Sequence, residues 1–253
     1  MTPRLVVHEL SKHFGGIVAA DGVSFELLDA ECLGLIGPNG AGKTTVCSII
    51  AGEQMASAGT VRLDGHDLAG LPVYQRARRG LSRTYQRLEI FPEMTVRDHL
   101  LVAQGVHDGA TGLLGDLMGS GGSSQLQKNA AEETLELVGL GDYADVVVGT
   151  LSLGSCRLVE LARSLVVNPR VLLADEPSSG LDSLESVAMG DVLQRAQRER
   201  GLSIILVEHD LEMVARLSDR VVVMQSGLVV ATGSFDEVMA DQDVRDAYLG
   251  VGK

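Results

Sequence analysis

Residues Gly37 to Thr44 read GPNGAGKT, a complete match to G-x-x-x-x-G-K-[ST]. No other stretch constrains the fold so tightly, because such a loop works only between a buried strand and the first turn of a helix. Its glycines let successive backbone N–H groups curl around a phosphate. Lys43 is long enough to reach the β- and γ-phosphates, and the Thr44 hydroxyl can bind magnesium. Asn39, Gly40, Ala41, Gly42 and Thr45 complete the cradle. Average residue frequencies produce this string by chance in about one per cent of chains of this size, so its flanks decide. The run Cys32-Leu33-Gly34-Leu35-Ile36 before it is short and apolar, as a buried parallel strand is. Thr45 to Ala51 after it reads as a helix stopped by Gly52.

Bulk properties narrow the class. At 253 residues, 45% apolar and 22% charged, the chain has the composition of a globular protein and the length for one large core or two small ones, as in one domain with a lobe. Aromatics are 3% and tryptophan is absent, which argues against a nucleic-acid binder that works by stacking aromatics on nucleobases. The net charge of −13 argues against a nucleic-acid partner and gives no attraction to anionic lipid. No apolar run reaches the roughly 20 residues of a spanning helix, and the N-terminus lacks a signal-peptide layout. Cys32, Cys47 and Cys156 have no CxxC spacing and lie in apolar segments, so they read as reduced, buried thiols of a cytosolic protein. Cys47 follows the phosphate loop, which makes inhibition by thiol reagents an expectation.

Strand-like alternation fills the first 30 residues: Leu5 to Glu9 and Val23 to Leu27, with turns expected at Gly15-Gly16 and Asp21-Gly22. With Thr60 to Gly65 they predict an antiparallel sheet near the phosphate loop. From about Thr95 to Leu165 the texture is helical, with Thr95 and Asp98 marking a capped start. Gly105 to Ser124 is Gly- and Ser-rich and reads as a flexible surface excursion. Further strands are expected at Val171 to Ala174, Ile204 to Val207, and Arg220 to Gln225 paired with Leu228 to Ala231. Ser234 with Glu237 opens a last helix by a capping box.

Each apolar strand runs into polar chemistry, where an open parallel sheet binds its ligand. Asp175-Glu176 can divide labour, Asp175 holding magnesium through water and Glu176 polarising an attacking water. Read alone, two acids after a strand are as readily a solvated turn. The Ile204 strand ends in Glu208-His209-Asp210, where an imidazole can orient water beside a γ-phosphate. Gln86, in Arg83-Thr84-Tyr85-Gln86, is by itself only a polar residue at a strand end.

The phosphate loop, Gln86, Leu151-Ser152-Leu153-Gly154-Ser155, Asp175-Glu176, Ser179-Gly180-Leu181-Asp182 and His209 stand in the order and spacing of ABC-type ATPase domains, and the chain resembles that family over essentially its full length. The resemblance implies an α/β fold. A P-loop NTPase (RecA-like) core sheet would carry an antiparallel β subdomain and an α-helical subdomain. Residues 1–253 would form a single ABC ATPase domain, with 1–86 and 166–253 as nucleotide-binding core and β subdomain and 87–165 as helical subdomain with the signature. It implies ATP and Mg2+ as ligands, Phe14 stacked on adenine, and Gln86 touching the metal and reporting to a membrane partner. Glu176 and His209 would be catalytic, and Thr44, Gln86 and Asp175 would serve the metal. Asp182 would lie at the interface with a second ATPase domain in a head-to-tail dimer, where each ATP sits between one phosphate loop and the other subunit's Ser152 and Gly154.

Finer strings resemble branched-chain amino-acid importers, and within them the LivG-type subunit: Lys12-His13-Phe14-Gly15-Gly16, Arg83 to Gln86 followed by Leu88-Glu89-Ile90-Phe91, and the ending Asp246 to Gly250. That implies a LivF-type ATPase as partner, transmembrane permease subunits, an indirect link to a solute-binding protein, and a peripheral place on the cytoplasmic face of the membrane. Urea and amide importers share much of the pattern. A soluble non-transport ABC ATPase usually carries paired ATPase domains or a coiled coil, neither of which is seen here. A small-molecule kinase leaves His209 and Ser179 to Asp182 without a role, and a binding-only subunit leaves Glu176 and His209 without one. One departure stands out: Leu153 and Ser155 replace the residues usual in the LSGGQ signature, while Ser152 and Gly154 are kept. The expected result is a signature that still closes on ATP, more weakly.

Overall fold

The computed structural model describes residues 3–84, 88–108, 125–242 and 244–245. Its central sheet is six-stranded in the order β10-β9-β3-β8-β7-β6. The inner strands are β3 (Cys32–Ile36), β7 (Val171–Asp175) and β8 (Ser203–Val207), every residue of which is buried. Flanking them are β6 (Leu81–Arg83) and β9 (Arg220–Gln225), both parallel to the inner strands, and β10 (Leu228–Gly233), antiparallel to β9. Unbroken apolar runs in the sequence are explained by burial on both faces. Along β7, Leu172 and Ala174 point into one apolar cluster and Val171 and Leu173 into the other. Ile204 and Leu206 of β8 alternate with Ile205 and Val207 in the same way.

The first cluster packs the sheet against α3 (Val96–Asp108), α4 (Gln125–Val138), α5 (Leu153–Leu165), α6 (Ser183–Arg200) and α7 (Leu211–Leu217). On the opposite face the second cluster holds α1 (Lys43–Ala51) and a four-stranded antiparallel sheet of order β2-β1-β4-β5. Those strands are β1 (Leu5–Phe14), β2 (Ile17–Leu27), β4 (Ala58–Leu63) and β5 (His66–Asp67). Two short helices, α2 (Val73–Arg78) and α8 (Phe235–Ala240), and two single 3-10 turns, Gly141–Tyr143 and Val148–Thr150, complete the described elements. Arg76 of α2 is buried, and its Nη1 donates to the carbonyls of Ile49 and Ile50 at 2.7 and 2.8 Å. It thereby satisfies acceptors that the C-terminus of α1 leaves open.

Two local expectations change. Gly15-Gly16 is the β1–β2 turn, but Asp21-Gly22 is not a turn: β2 runs through it. Gly22 takes φ +63°, and its N–H donates to Ser11 Oγ at 2.9 Å, so the irregularity is absorbed as a bulge in the pairing with β1. Gly105 to Asp108 belong to α3, while the rest of the Gly/Ser-rich stretch lies outside the described residues. The capped start at Thr95 is present, with Asp98 N–H donating to Thr95 Oγ1 at 3.1 Å, and so is the capping box of Ser234 and Glu237. Among the described residues no helix is long and apolar enough to cross a membrane.

Candidate nucleotide site

The sheet order places the carboxyl ends of β3, β8, β7 and β6 side by side, and each delivers one part of the site. From β3 the chain enters the phosphate loop. Gly37 has φ +148°, and a Cβ there would collide with the Met224 carbonyl oxygen. Gly42 has φ +103°, and its Cβ would run into the carbonyl oxygen of Ala19 in β2. Both positions therefore require glycine for conformation and for space. Gly42 is also the N-cap of α1 and offers no side-chain acceptor, and the first turn carries no acid. The leading N–H groups of α1 are left for an anion. Lys43 is buried, and its ammonium donates to the carbonyls of Gly37 and Pro38 at 2.6 and 3.2 Å. Burial lowers its pKa, against the opposing pull of Glu176 and Asp175. Asn39, Gly40 and Thr44 are exposed, Thr45 is half-buried and Ala41 is buried.

Asp175 and Glu176 leave β7 next to β8, with Asp175 paired to Val207 in the ladder. Glu176 holds φ +51°, unusual for a non-glycine residue, and its N–H donates to the Val207 carbonyl at 2.8 Å. Its Oε1 lies 3.1 Å from His209 Nε2. An ionised carboxylate only accepts, so the hydrogen between the two side chains is carried by Nε2 of His209. The pair sits beside the loop and can hold and orient a water.

Three residues at this site were not singled out from the sequence. Glu208 is 2% exposed and accepts from the N–H groups of Ser178 and His209 at 2.8 and 3.1 Å, joining the segment after Glu176 to the one that carries the imidazole. Arg83, half-buried, binds Asp175 Oδ2 through Nη2 at 2.6 Å. Arg157 of α5 pairs with Glu160 at 3.0 Å and donates to the Ser179 carbonyl at 3.4 Å. Arg157, set between Cys156 and Leu158-Val159, carried a signal as a charge inside an apolar run, whereas Arg83 and Glu208 stand in polar surroundings at strand ends.

Phe14 ends β1 at the tip of the hairpin, 45% exposed, with Lys12 Nζ 4.8 Å from its ring centre. The same hairpin supplies Ala19 against Gly42, and Asp21 N–H donates to Gly227 O at 2.9 Å, so the strand that follows the aromatic packs against the loop. Gln86 lies outside the described residues, as does the ending Asp246 to Gly250. Asp182 is the N-cap of α6, closed by a capping box with Glu185, a spacing the sequence already carried.

Ser152 and Gly154 are not brought to this chain's own α1 side: α5 packs on the opposite face of the sheet. Ser152 caps α5, accepting from Ser155 N–H at 3.2 Å, and the two hydroxyls are also 3.2 Å apart. Gly154 is buried, and a Cβ there would collide with the Glu185 carboxylate. Cys47 is fully buried with its thiol pushed up to about 12, so attack by thiol reagents is not expected, because the thiolate is the nucleophile.

Among the described residues no group of three or more His, Cys, Asp or Glu is arranged to hold a metal alone. The donors at hand, the Thr44 hydroxyl and the Asp175 carboxylate, are hard oxygens. That set suits magnesium, which takes most of its ligands from water and phosphates.

A family model described as ABC transporter matches residues 20–179, and one described as branched-chain amino acid ATP-binding cassette transporter matches residues 229–253. The chain is 37% identical over 251 residues to the high-affinity branched-chain amino acid transport ATP-binding protein BraF of Pseudomonas aeruginosa, covering 98% of both. It is 38% identical over 252 residues to LivG of Escherichia coli K12, again covering 98% of both. The lipopolysaccharide export system ATP-binding protein LptB of that strain is 30% identical, with 97% of each chain covered. Among solved structures, the ADP conformation of MJ1267, an ATP-binding cassette of an ABC transporter, superposes with a TM-score of 0.87 at 28% identity, covering 99% of this chain and 100% of its own.

Proposed function

The chain belongs to the family of ABC transporter ATPases and binds nucleotide, and on that premise we propose that it hydrolyses ATP to energise a branched-chain amino-acid importer. BraF and LivG, which carry that substrate in their names, support the choice of solute. So does the family match over residues 229–253. The importer would move branched-chain amino acids or a related small polar solute.

In this reading Phe14 stacks on the adenine, the residues 39–45 wrap the phosphates, and Lys43 exchanges its carbonyl partners for phosphate oxygens. Thr44, Asp175 and Gln86 hold Mg2+, which when bound neutralises charge on the phosphates. Glu176 takes the proton of the attacking water while His209 orients it and reads the γ-phosphate. The dyad at 3.1 Å, on neighbouring strand ends beside the loop, is the observation that carries the hydrolytic role. Residues 1–86 and 166–253 form the nucleotide-binding core with its β subdomain, and 87–165 the helical subdomain. A second ATPase of LivF type closes head-to-tail, Asp182 lies at the shared interface, and Ser152 and Gly154 serve the partner's ATP.

Permease subunits dock on the groove between α2, α3 and α5. This groove, of about 610 Å³, presents the exposed Val73, Tyr74, Val102 and Val106 beside the charged Glu89 and Arg163. Docking there keeps the chain peripheral on the cytoplasmic face, with the solute-binding protein reached only through the permeases. Glu176→Gln tests the reading: ATPase of the assembled transporter should fall by about 100-fold or more, with ATP held in a longer-lived closed dimer. Hydrolysis at the parent rate would remove Glu176 from its role.

A further inference from the structure

Arg83 ends β6, with 8% of its side chain exposed. Besides Asp175, its guanidinium reaches helix α1: Nη1 donates to Ser48 Oγ at 3.0 Å and to Glu53 Oε2, just past that helix, at 2.7 Å. The next residue grips the same aspartate through the backbone. Thr84 Oγ1 accepts from Asp175 N–H at 3.2 Å, while Thr84 N–H donates to the Leu173 carbonyl at 3.0 Å. The end of β6 therefore fixes Asp175 by main chain and side chain together. Ser48 lies four residues after Thr44 on α1, so the two share a helix face one turn apart.

We propose that Arg83 is a positioning residue for the cation site. By engaging Oδ2 of Asp175 it leaves Oδ1 as the oxygen that serves the metal, and by bonding Ser48 it holds that carboxylate in register with the Thr44 hydroxyl. This rests on the reading of Thr44 and Asp175 as the residues that serve magnesium. Arginine suits the task because its planar fork addresses a carboxylate, a hydroxyl and a second carboxylate at once. A lysine ammonium is a point charge on a flexible stem and holds no such fixed geometry.

The test uses the purified full chain loaded with ATP, with Mn2+ as the probe and free Mn2+ read by electron spin resonance. ATP affinity in EDTA is measured alongside. Arg83→Gln should weaken Mn2+ binding by about tenfold or more, the usual effect of removing a group that orients a metal ligand, while ATP affinity in EDTA stays within about twofold. Arg83→Lys should fall between parent and Arg83→Gln. Glu53→Gln, which keeps the Arg83–Asp175 bond, should stay near the parent.

Unchanged Mn2+ affinity in a folded Arg83→Gln chain overturns the proposal, and so does a parallel loss of ATP affinity in EDTA, which would mean that Arg83 merely shapes the loop. If Arg83→Gln gives no cooperative thermal transition, Arg83→Lys carries the test, and parent-like Mn2+ affinity there overturns it. A parent chain that takes ATP in EDTA yet binds Mn2+ no better than Asp175→Ala does removes the metal reading itself, and the proposal with it.

Discussion

Helices α1 and α5 treat their leading N–H groups in opposite ways. At α1 the N-cap is Gly42, without a side-chain acceptor. At α5 the N-cap is Ser152, whose hydroxyl already accepts from Ser155 N–H. Glycine costs only a few tenths of a kcal/mol against serine at such a position, so α1 keeps its donors open for a ligand at little expense. Helix α5 is closed on itself and must exchange an internal bond for any external anion. The first terminus keeps its donors open within one chain, while the second is capped from within and, in the proposed dimer, would act only across an interface.

Three substitutions sharpen that contrast. The largest effect belongs to Gly42→Ala, which combines φ +103° with a collision against the Ala19 carbonyl oxygen. A strained backbone of this kind costs about 1–3 kcal/mol, so nucleotide affinity of the isolated chain should drop by about 10- to 100-fold in equilibrium titration. Near-parent affinity would show that the loop relaxes and that α1 is less demanding than it looks.

Next comes Ser152→Ala. Loss of the cap should lower unfolding free energy by about 1 kcal/mol in denaturant titration and leave nucleotide affinity of the isolated chain unchanged. ATPase of the assembled transporter should fall by about tenfold, the worth of a hydrogen bond to a charged group. A fall in the isolated chain's nucleotide affinity would break the division between the two helices.

Smallest is Ser155→Gln, which removes the hydroxyl 3.2 Å from that of Ser152 and restores the usual last residue of the signature. A rise of about threefold in ATPase or apparent nucleotide affinity of the assembly is expected from freeing one weak hydrogen bond. No change in either would sink the idea that this signature closes more weakly.

Much of the architecture was legible because it is local. The runs at Cys32, Val171 and Ile204 became the three inner strands, and Gly52, Thr95 and Ser234 marked helix ends by capping rules that need only a few neighbouring residues. Asp21-Gly22 misled for the same reason: a glycine with φ above zero serves a turn or a bulge equally, and only the register with β1 distinguishes them. Cys47 read as a buried thiol, yet its nearness in sequence to the loop suggested inhibition by thiol reagents. It is buried because the helix turns that residue into the second apolar cluster.

The sequence by itself determined the phosphate loop, the acidic pair after β7 and the class of chemistry, since each is a short string whose function depends on backbone shape and residue type. Only the tertiary structure decided which charges meet. Arg83 reaches Asp175 across 92 residues, Glu176 reaches His209 across 33, and Glu208 reaches Ser178 across 30. Those partnerships follow from the order β3-β8-β7-β6, which lays strand ends distant in sequence side by side. Local propensity contains no such ordering. It arises when the helices and the second sheet cover both faces of the strands, and it assembles this site from side chains that no single segment could bring together.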